Sequence, residues 1–197
     1  MATKPKQFDR NLIVIGAGSA GLVSAYIAAM VQAKVTLIEA HEMGGDCLNT
    51  GCVPSKALIK SARVAHLVTD AARFGVKTSA PTIDFPKVMQ RIREVITAIE
   101  PHDSVERSTD LGVDCVSGYA RFIDPWTVEI DGKTRLTAQN FIIATGAAPL
   151  VPPLPGVEAS GYLTTETLWD EFAKRSAAPK RLIILGGGPI GCELAQS

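Results

Sequence analysis

One stretch near the start of the chain restricts its fold more than any other. Residues 11–15 (Asn-Leu-Ile-Val-Ile) form a short apolar run that leads at once into Gly16-Ala-Gly18-Ser-Ala-Gly21. An alanine-rich segment then continues to about Gln32, and Lys34-Val-Thr-Leu-Ile has the look of a second strand with Glu39 at its end. A Gly-x-Gly-x-x-Gly alone says little. Set between a strand and a helix, with an acidic residue 18 positions after the last glycine, it specifies a βαβ unit that binds a dinucleotide. Gly16 permits the tight turn, Gly18 lets a pyrophosphate approach the backbone, and Gly21 lets helix and strand pack closely. The helix N-terminus offers unpaired N–H groups and partial positive charge to phosphates, and Glu39 can accept hydrogen bonds from a ribose diol. The expected fold class is therefore α/β, with a Rossmann-type dinucleotide-binding domain at the start.

The segment Gly44-Gly45-Asp46-Cys47-Leu-Asn-Thr-Gly51-Cys52-Val-Pro-Ser-Lys56 comes next. A disulfide between Cys47 and Cys52, with Gly51 turning the backbone between them, would close a loop so short that chain entropy gives it only about 2 kcal/mol. Such a bridge is a poor staple and better suited to chemistry. Pro54 and the run at 55–72 suggest a helix starting beside Cys52, where a helix N-terminus favours a thiolate. Lys56, at i+4, shares a face with Cys52 and adds positive charge. A redox-active pair is the favoured reading, against a structural bridge or two idle thiols. A dithiol adjoining a dinucleotide site makes most sense if the dinucleotide is a flavin, which exchanges electrons with sulfur.

Composition narrows the setting. Apolar residues make up 46% of the 197, enough for a core, and the formal net charge is zero, so no basic excess points to nucleic acid or an anionic membrane surface. No apolar stretch is long enough to span a bilayer. The first ten residues lack the apolar core of a signal peptide, so the expected location is cytoplasmic, where a persistent structural disulfide is unusual. Cys115, Cys192, His41, His66 and His102 are too scattered for a metal site, and none is expected.

Residues 85–110 have the pattern of a long amphipathic helix with Val88, Ile92, Val95, Ile96 and Ile99 on one stripe and Pro101 bending or dividing it. Strand character resumes at 113–116. Residues 121–123, 126–130 and 134–137 suggest a small antiparallel meander with Asp131-Gly132 as its hairpin turn. Phe141-Ile-Ile-Ala144-Thr145-Gly146 looks like a buried strand running into a turn whose short side chains admit a ligand. The four prolines at 149–156 suggest a stiff linker, and residues 165–172 a short helix. Arg181-Leu-Ile-Ile-Leu is expected to be a strand leading into Gly186-Gly-Gly188-Pro-Ile-Gly191, a second dinucleotide motif. A βαβ unit needs roughly 30 residues, more than follow Arg181, so the chain is expected to be the N-terminal part of a longer protein. The expected division is a dinucleotide-binding domain over 8–150 and the start of a second over 151–197.

With both glycine motifs, the Cys-x4-Cys segment and Ala144-Thr-Gly, the chain resembles the flavin-dependent pyridine nucleotide–disulfide oxidoreductases over essentially its whole length. The wording of the cysteine segment looks most like the mercuric-reductase-like branch, beside the dihydrolipoamide-dehydrogenase-like one. The resemblance implies FAD in the first domain and NADPH or NADH in the second. It implies that Gly16, Gly18, Ser19, Ala20, Gly21 and Glu39 hold the ADP half of FAD. Gly44, Gly45, Asp46, Cys47, Gly51 and Cys52 would line its pyrophosphate and isoalloxazine, with Ala120 near the adenine and Ala144, Thr145 and Gly146 on the flavin side. Gly186, Gly188 and Gly191 would begin the NAD(P)H site.

By the same resemblance Cys52 would be the thiolate against the flavin, Cys47 the interchange thiol that meets substrate, and Lys56 a partner of Glu193 near the flavin. The acceptor would be a disulfide, a dihydrolipoamide-type compound or a metal ion, and the full-length protein a homodimer. The chain departs from the family pattern at Asp46, commonly threonine, and at Pro189, a tyrosine in some relatives. His41, His66 and His102 are expected at the surface or in packing, and Cys115 and Cys192 as buried thiols. The competing readings are a soft-metal or thiol-binding module using Cys47 and Cys52, and an FAD oxidoreductase whose cysteines are idle.

Overall fold

The computed structural model describes residues 4–197. In chain order its elements are β1 (Arg10–Ile15), α1 (Ser19–Met30), β2 (Val35–Glu39), α2 (Gly45–Asn49), α3 (Cys52–Thr69), α4 (Phe85–Ile99), α5 (Val105–Asp110), β3 (Val113–Ser117), β4 (Ala120–Asp124), β5 (Thr127–Ile130), β6 (Thr134–Ile143), α6 (Thr165–Ala173) and α7 (Pro189–Gln196). They fall into two compact units, one made by the chain up to Leu48 with Ile99–Ala148, the other by Asn49–Ala98 with Pro149–Ser197. Among the described residues no helix is long and apolar enough to cross a membrane.

The first unit carries a six-stranded sheet in the order β3-β2-β1-β6-β5-β4. β1, β2 and β3 are parallel, and the alternation of their side chains divides the core. Val14, Val35, Leu37 and Val113 pack on the α1 side with Ala17 and Ala25. Ile13 and Ile38 point the other way, against Val128, Ile130 and Ala138 of the meander.

The two short strands expected at 134–137 and from Phe141 are a single strand. Thr134–Thr137 of β6 pairs antiparallel with β5, and from Ala138 onward the same strand pairs parallel with β1. The change of partner falls where Asp9 binds: its Oδ2 accepts from the Thr137 N–H at 2.9 Å and from the Thr137 hydroxyl at 2.7 Å. Those bonds hold the Asp9 carboxyl below the usual carboxylate range. The hairpin turn forms at Asp131-Gly132, with φ of 49° and 67°, the two positive values that a tight two-residue connection demands.

In the second unit α4 lays Phe85, Met89 and Ile92 into a core with Ala57, Leu168, Trp169 and Phe172. Of the expected stripe, Ile92 is fully buried, while Val88, Val95 and Ile96 lie at its margin. Phe85 meets Phe172 edge to face at 5.8 Å, and the Trp169 Nε1–H donates to the Thr50 carbonyl at 2.7 Å. The expected long helix is divided at Pro101, with a 3₁₀ turn over Glu100–Asp103 between α4 and α5, because proline supplies no N–H to continue the ladder. The expected strand at 181–185 is not formed. Leu182, Ile183 and Leu185 are exposed, and among the described residues no segment pairs with them, which a strand requires. Cys192, expected buried, is exposed because it lies near the start of α7, which has no buried residue.

Within the meander, nearly buried Glu129 on β5 accepts from Arg135 Nε at 2.9 Å and pairs with Arg121 at 3.3 Å. The Arg135 hydrogen bond, helped by both positive charges and opposed by burial, lowers the Glu129 carboxyl from its ordinary value. A carboxylate whose folded-state pKa lies below its unfolded one, about 4.3, stabilises the fold above that value and loses its contribution as pH falls through the folded one. Glu129→Gln should therefore lower the urea midpoint at pH 7, and its deficit relative to the parent should shrink below about pH 4. A deficit that stays constant across that range would mean the effect is packing and not charge.

Candidate functional site

In the first unit three glycine-bearing turns meet beyond the C-terminal ends of β1 and β6. Gly16 takes φ of 101°, its N–H bonds the Ile38 carbonyl at 2.8 Å, and a Cβ there would lie 2.3 Å from the Ala144 oxygen. The Gly44 N–H donates to the Ala17 carbonyl at 2.9 Å, and Gly44 forms a lone parallel bridge with Gly18. Gly21 is the tightest point of all, since a Cβ there would sit 1.7 Å from the Gly16 oxygen. Close approach requires glycine at Gly16 and Gly21, and the positive φ of Gly16 and Gly44 favours glycine as well.

Gly18 differs. A Cβ added to it meets nothing closer than the Gly45 Cα at 3.9 Å, so one side of the backbone is open. Gly18 is also the N-cap of the twelve-residue α1, has no side chain to cap it, and precedes a first turn without an acidic residue. Ser19 and Ala20, the first helical residues, are exposed. The unpaired N–H groups of that turn and the open glycine suit a phosphate. The Glu39 carboxylate accepts from the Ala17 N–H at 2.5 Å and the His41 N–H at 2.8 Å. These bonds fix its orientation, and a carboxylate has acceptor capacity left for a diol. The Gly118 N–H donates to the Glu39 carbonyl at 2.8 Å, which brings the turn before Ala120 to the same edge. Ala144 is half-buried, Thr145 and Gly146 are exposed, and Cys47 lies half-buried in α2 after exposed Asp46.

In the second unit Gly51 is the N-cap of α3 and Cys52, exposed, is its first residue. The Ser55 hydroxyl donates to the Cys52 carbonyl at 3.2 Å, and Lys56 Nζ reaches that hydroxyl at 3.5 Å. Lys56 also pairs with Glu193 of α7, Nζ to Oε2, at 2.5 Å. The lysine side chain is 58% exposed, and a pair so open to water adds at most about 1 kcal/mol.

The second glycine turn reproduces the first. Gly186 takes φ of 115°, Gly188 caps α7 at φ −75° and ψ 177° against −74° and −174° for Gly18, and a Cβ on Gly191 would lie 2.1 Å from the Gly186 oxygen. Pro189 stands at the first helical position, where its missing N–H costs nothing. Cys115 is half-buried and Cys192 exposed. His41, His66 and His102 are exposed, and among the described residues no group of three or more possible ligands could hold a metal ion.

Against family models, residues 10–197 match the pyridine nucleotide-disulphide oxidoreductases. The chain belongs to that family. It is 36% identical over 189 residues to a mercuric reductase of Bacillus cereus, covering 96% of this chain and 29% of that protein. It is 37% identical over 194 residues to a dihydrolipoyl dehydrogenase of Chlamydia pneumoniae, covering 97% and 40%. Among solved structures it superposes on the HOCl-induced flavoprotein disulfide reductase RclA of Escherichia coli with a TM-score of 0.74 at 30% identity, covering 94% of this chain and 38% of that one. The chain thus spans well under half the length of these relatives. Proteins of this family use FAD and NAD(P)H, and the open Gly18 with its uncapped helix N-terminus fits the phosphates of such a dinucleotide.

The sequence did not reveal that backbone groups of Ala17 and His41 hold Glu39, nor that Ser55 links Cys52 to Lys56. For Ser55 the only signal was its i+3 spacing from Cys52. The glycine geometry yields a paired test. Gly21→Ala should cost more than about 3 kcal/mol or prevent folding, because the Cβ meets backbone at 1.7 Å. Gly187→Ala, with open space around it, should stay within about 0.5 kcal/mol of the parent. Urea unfolding of both variants checks this, and equal losses would show that close approach does not decide the glycine.

Proposed function

We propose that this chain is the FAD-binding part, over residues 8–150, and the start of the NAD(P)-binding part, over 151–197, of a flavoprotein disulfide oxidoreductase. In the whole protein electrons would pass from NADH or NADPH to the Cys47–Cys52 pair and on to a disulfide, a dihydrolipoamide-type compound or a metal ion. The observation that best supports this reading is the Lys56–Glu193 pair, which ties the helix opened by Cys52 to the helix opened by the second glycine turn. A homodimer in the cytoplasm is the setting we propose for it.

Gly16, Gly18, Ser19, Ala20, Gly21 and Glu39 would hold the ADP half of FAD. Gly44, Gly45, Asp46, Gly51, Cys52, Lys56, Ala120, Ala144, Thr145 and Gly146 would line the rest. Gly186, Gly188 and Gly191 would receive the nicotinamide dinucleotide. FAD, when bound, would supply two-electron exchange between a reduced pyridine nucleotide and sulfur. The protein's own part is thiol chemistry. The Cys47 thiolate attacks one sulfur of an acceptor disulfide, and the sulfur it displaces leaves as a thiolate and takes up a proton. The Cys52 thiolate then attacks Cys47 in the mixed disulfide, expels the second acceptor thiol and closes the Cys47–Cys52 bridge, so two electrons have reached the acceptor. Lys56, one turn along α3, keeps positive charge near Cys52 throughout.

Differential alkylation with peptide mass spectrometry tests the pairing. After mild oxidation Cys47 and Cys52 should be protected together and released together by reductant, with Cys115 and Cys192 unchanged. A bridge from either one to Cys115 or Cys192 would sink the redox assignment. Because the chain spans 29% and 40% of the two curated relatives compared, we expect it to bind FAD weakly and to oxidise no NAD(P)H in steady state with a disulfide acceptor. Sustained turnover at saturating FAD, lost in Cys47→Ser and Cys52→Ser, would show instead that these residues suffice.

A further inference from the structure

The groove at the first glycine site is arranged for an anion, with Gly18 open on one side and the α1 N-terminus uncapped. A carboxylate stands in the same groove. Asp46 follows Gly45, whose Cα is the atom nearest the open side of Gly18. Its Oδ2 lies 3.8 Å from where a Cβ on Gly146 would sit. The Asp46 side chain is exposed, and among the described residues no lysine or arginine forms a salt bridge with it. Glu39, the other acid at this site, has both oxygens held by backbone N–H groups. Among the described residues no cationic side chain offsets the Asp46 charge, so a pyrophosphate entering the groove meets a like charge.

We propose that Asp46 sets the affinity of this site for a dinucleotide, opposing the pyrophosphate until a divalent cation bridges the carboxylate and the phosphate oxygens. The inference rests on the dinucleotide reading of the site. A hard cation such as Mg²⁺ is commonly held by one carboxylate together with ligand phosphates, keeping several of its waters. Two like charges a few ångströms apart in a partly solvated groove repel by enough to change binding about tenfold.

FAD fluorescence titrations of the chain, Asp46→Asn and Asp46→Thr test this at fixed ionic strength, in potassium chloride alone and with magnesium chloride. The parent should bind FAD about tenfold more tightly with Mg²⁺. Both variants should bind without it about as well as the parent does with it and change little when it is added, with circular dichroism confirming that they fold. Equal affinities for parent and variants, or an equal gain from Mg²⁺ in all three, would overturn the role of Asp46 while leaving the flavin reading intact. A failure of all three folded proteins to bind FAD under any condition would overturn that reading and this inference with it.

Discussion

The contact between Gly21 and the Gly16 carbonyl governs the first unit. With a Cβ excluded at 1.7 Å, α1 can lie directly against the turn that leaves β1, and its N-terminus is carried to the end of the sheet. From that placement the rest follows. The Ala17 carbonyl is free to receive the Gly44 N–H, and the Ala17 N–H to bind Glu39. Gly45 then comes to rest beside Gly18. An uncapped helix end is normally a liability; here it is aimed at open space between turns that are themselves firmly bonded. The second glycine turn takes the same backbone geometry although no strand precedes it. The turn is therefore a local property of its glycines, whereas the precision of the first site comes from the sheet beneath it.

That sheet is closed on its second face by a device in β6. One continuous strand is antiparallel to β5 in its first half and parallel to β1 in its second. This lets the meander turn back over Ile13 and Ile38, so a parallel sheet that needs cover on both faces gets α1 on one and β-structure on the other. It also fixes the site, because the strand that carries the meander is the strand whose end delivers Ala144 to the Gly16 turn.

The β1–α1–β2 unit could be read from the sequence because its signals are local: apolar runs, glycine spacing and an acid at strand end. The Asp131-Gly132 hairpin was legible for the same reason. The continuity of β6 was not, since Thr137, Gln139 and Asn140 interrupt the apolar pattern and nothing local says that a strand will change partners midway. The apolar run at 181–185 failed in the opposite sense. Its composition suits a strand, but strand formation belongs to a pair of segments, and among the described residues the partner is missing. Ser55 and the N–H groups that bind Glu39 escaped notice because backbone and short-range bonds leave little trace in residue type.

The Lys56–Glu193 pair is open to solvent, with 58% and 34% of the two side chains exposed. A pair of that kind contributes little to stability, so its consequence lies in where it puts charge. It holds an ammonium one turn beyond an exposed cysteine at a helix N-terminus and sets a carboxylate on the other side of it, next to the second glycine turn. Removing Glu193 would leave the lysine free to swing into water, and removing Lys56 would leave a carboxylate near a site shaped for phosphates. The ion pair thus keeps the ammonium on the helix opened by Cys52 and offsets the carboxylate beside the second glycine turn, a reason for its geometry that a stability measurement alone would not detect.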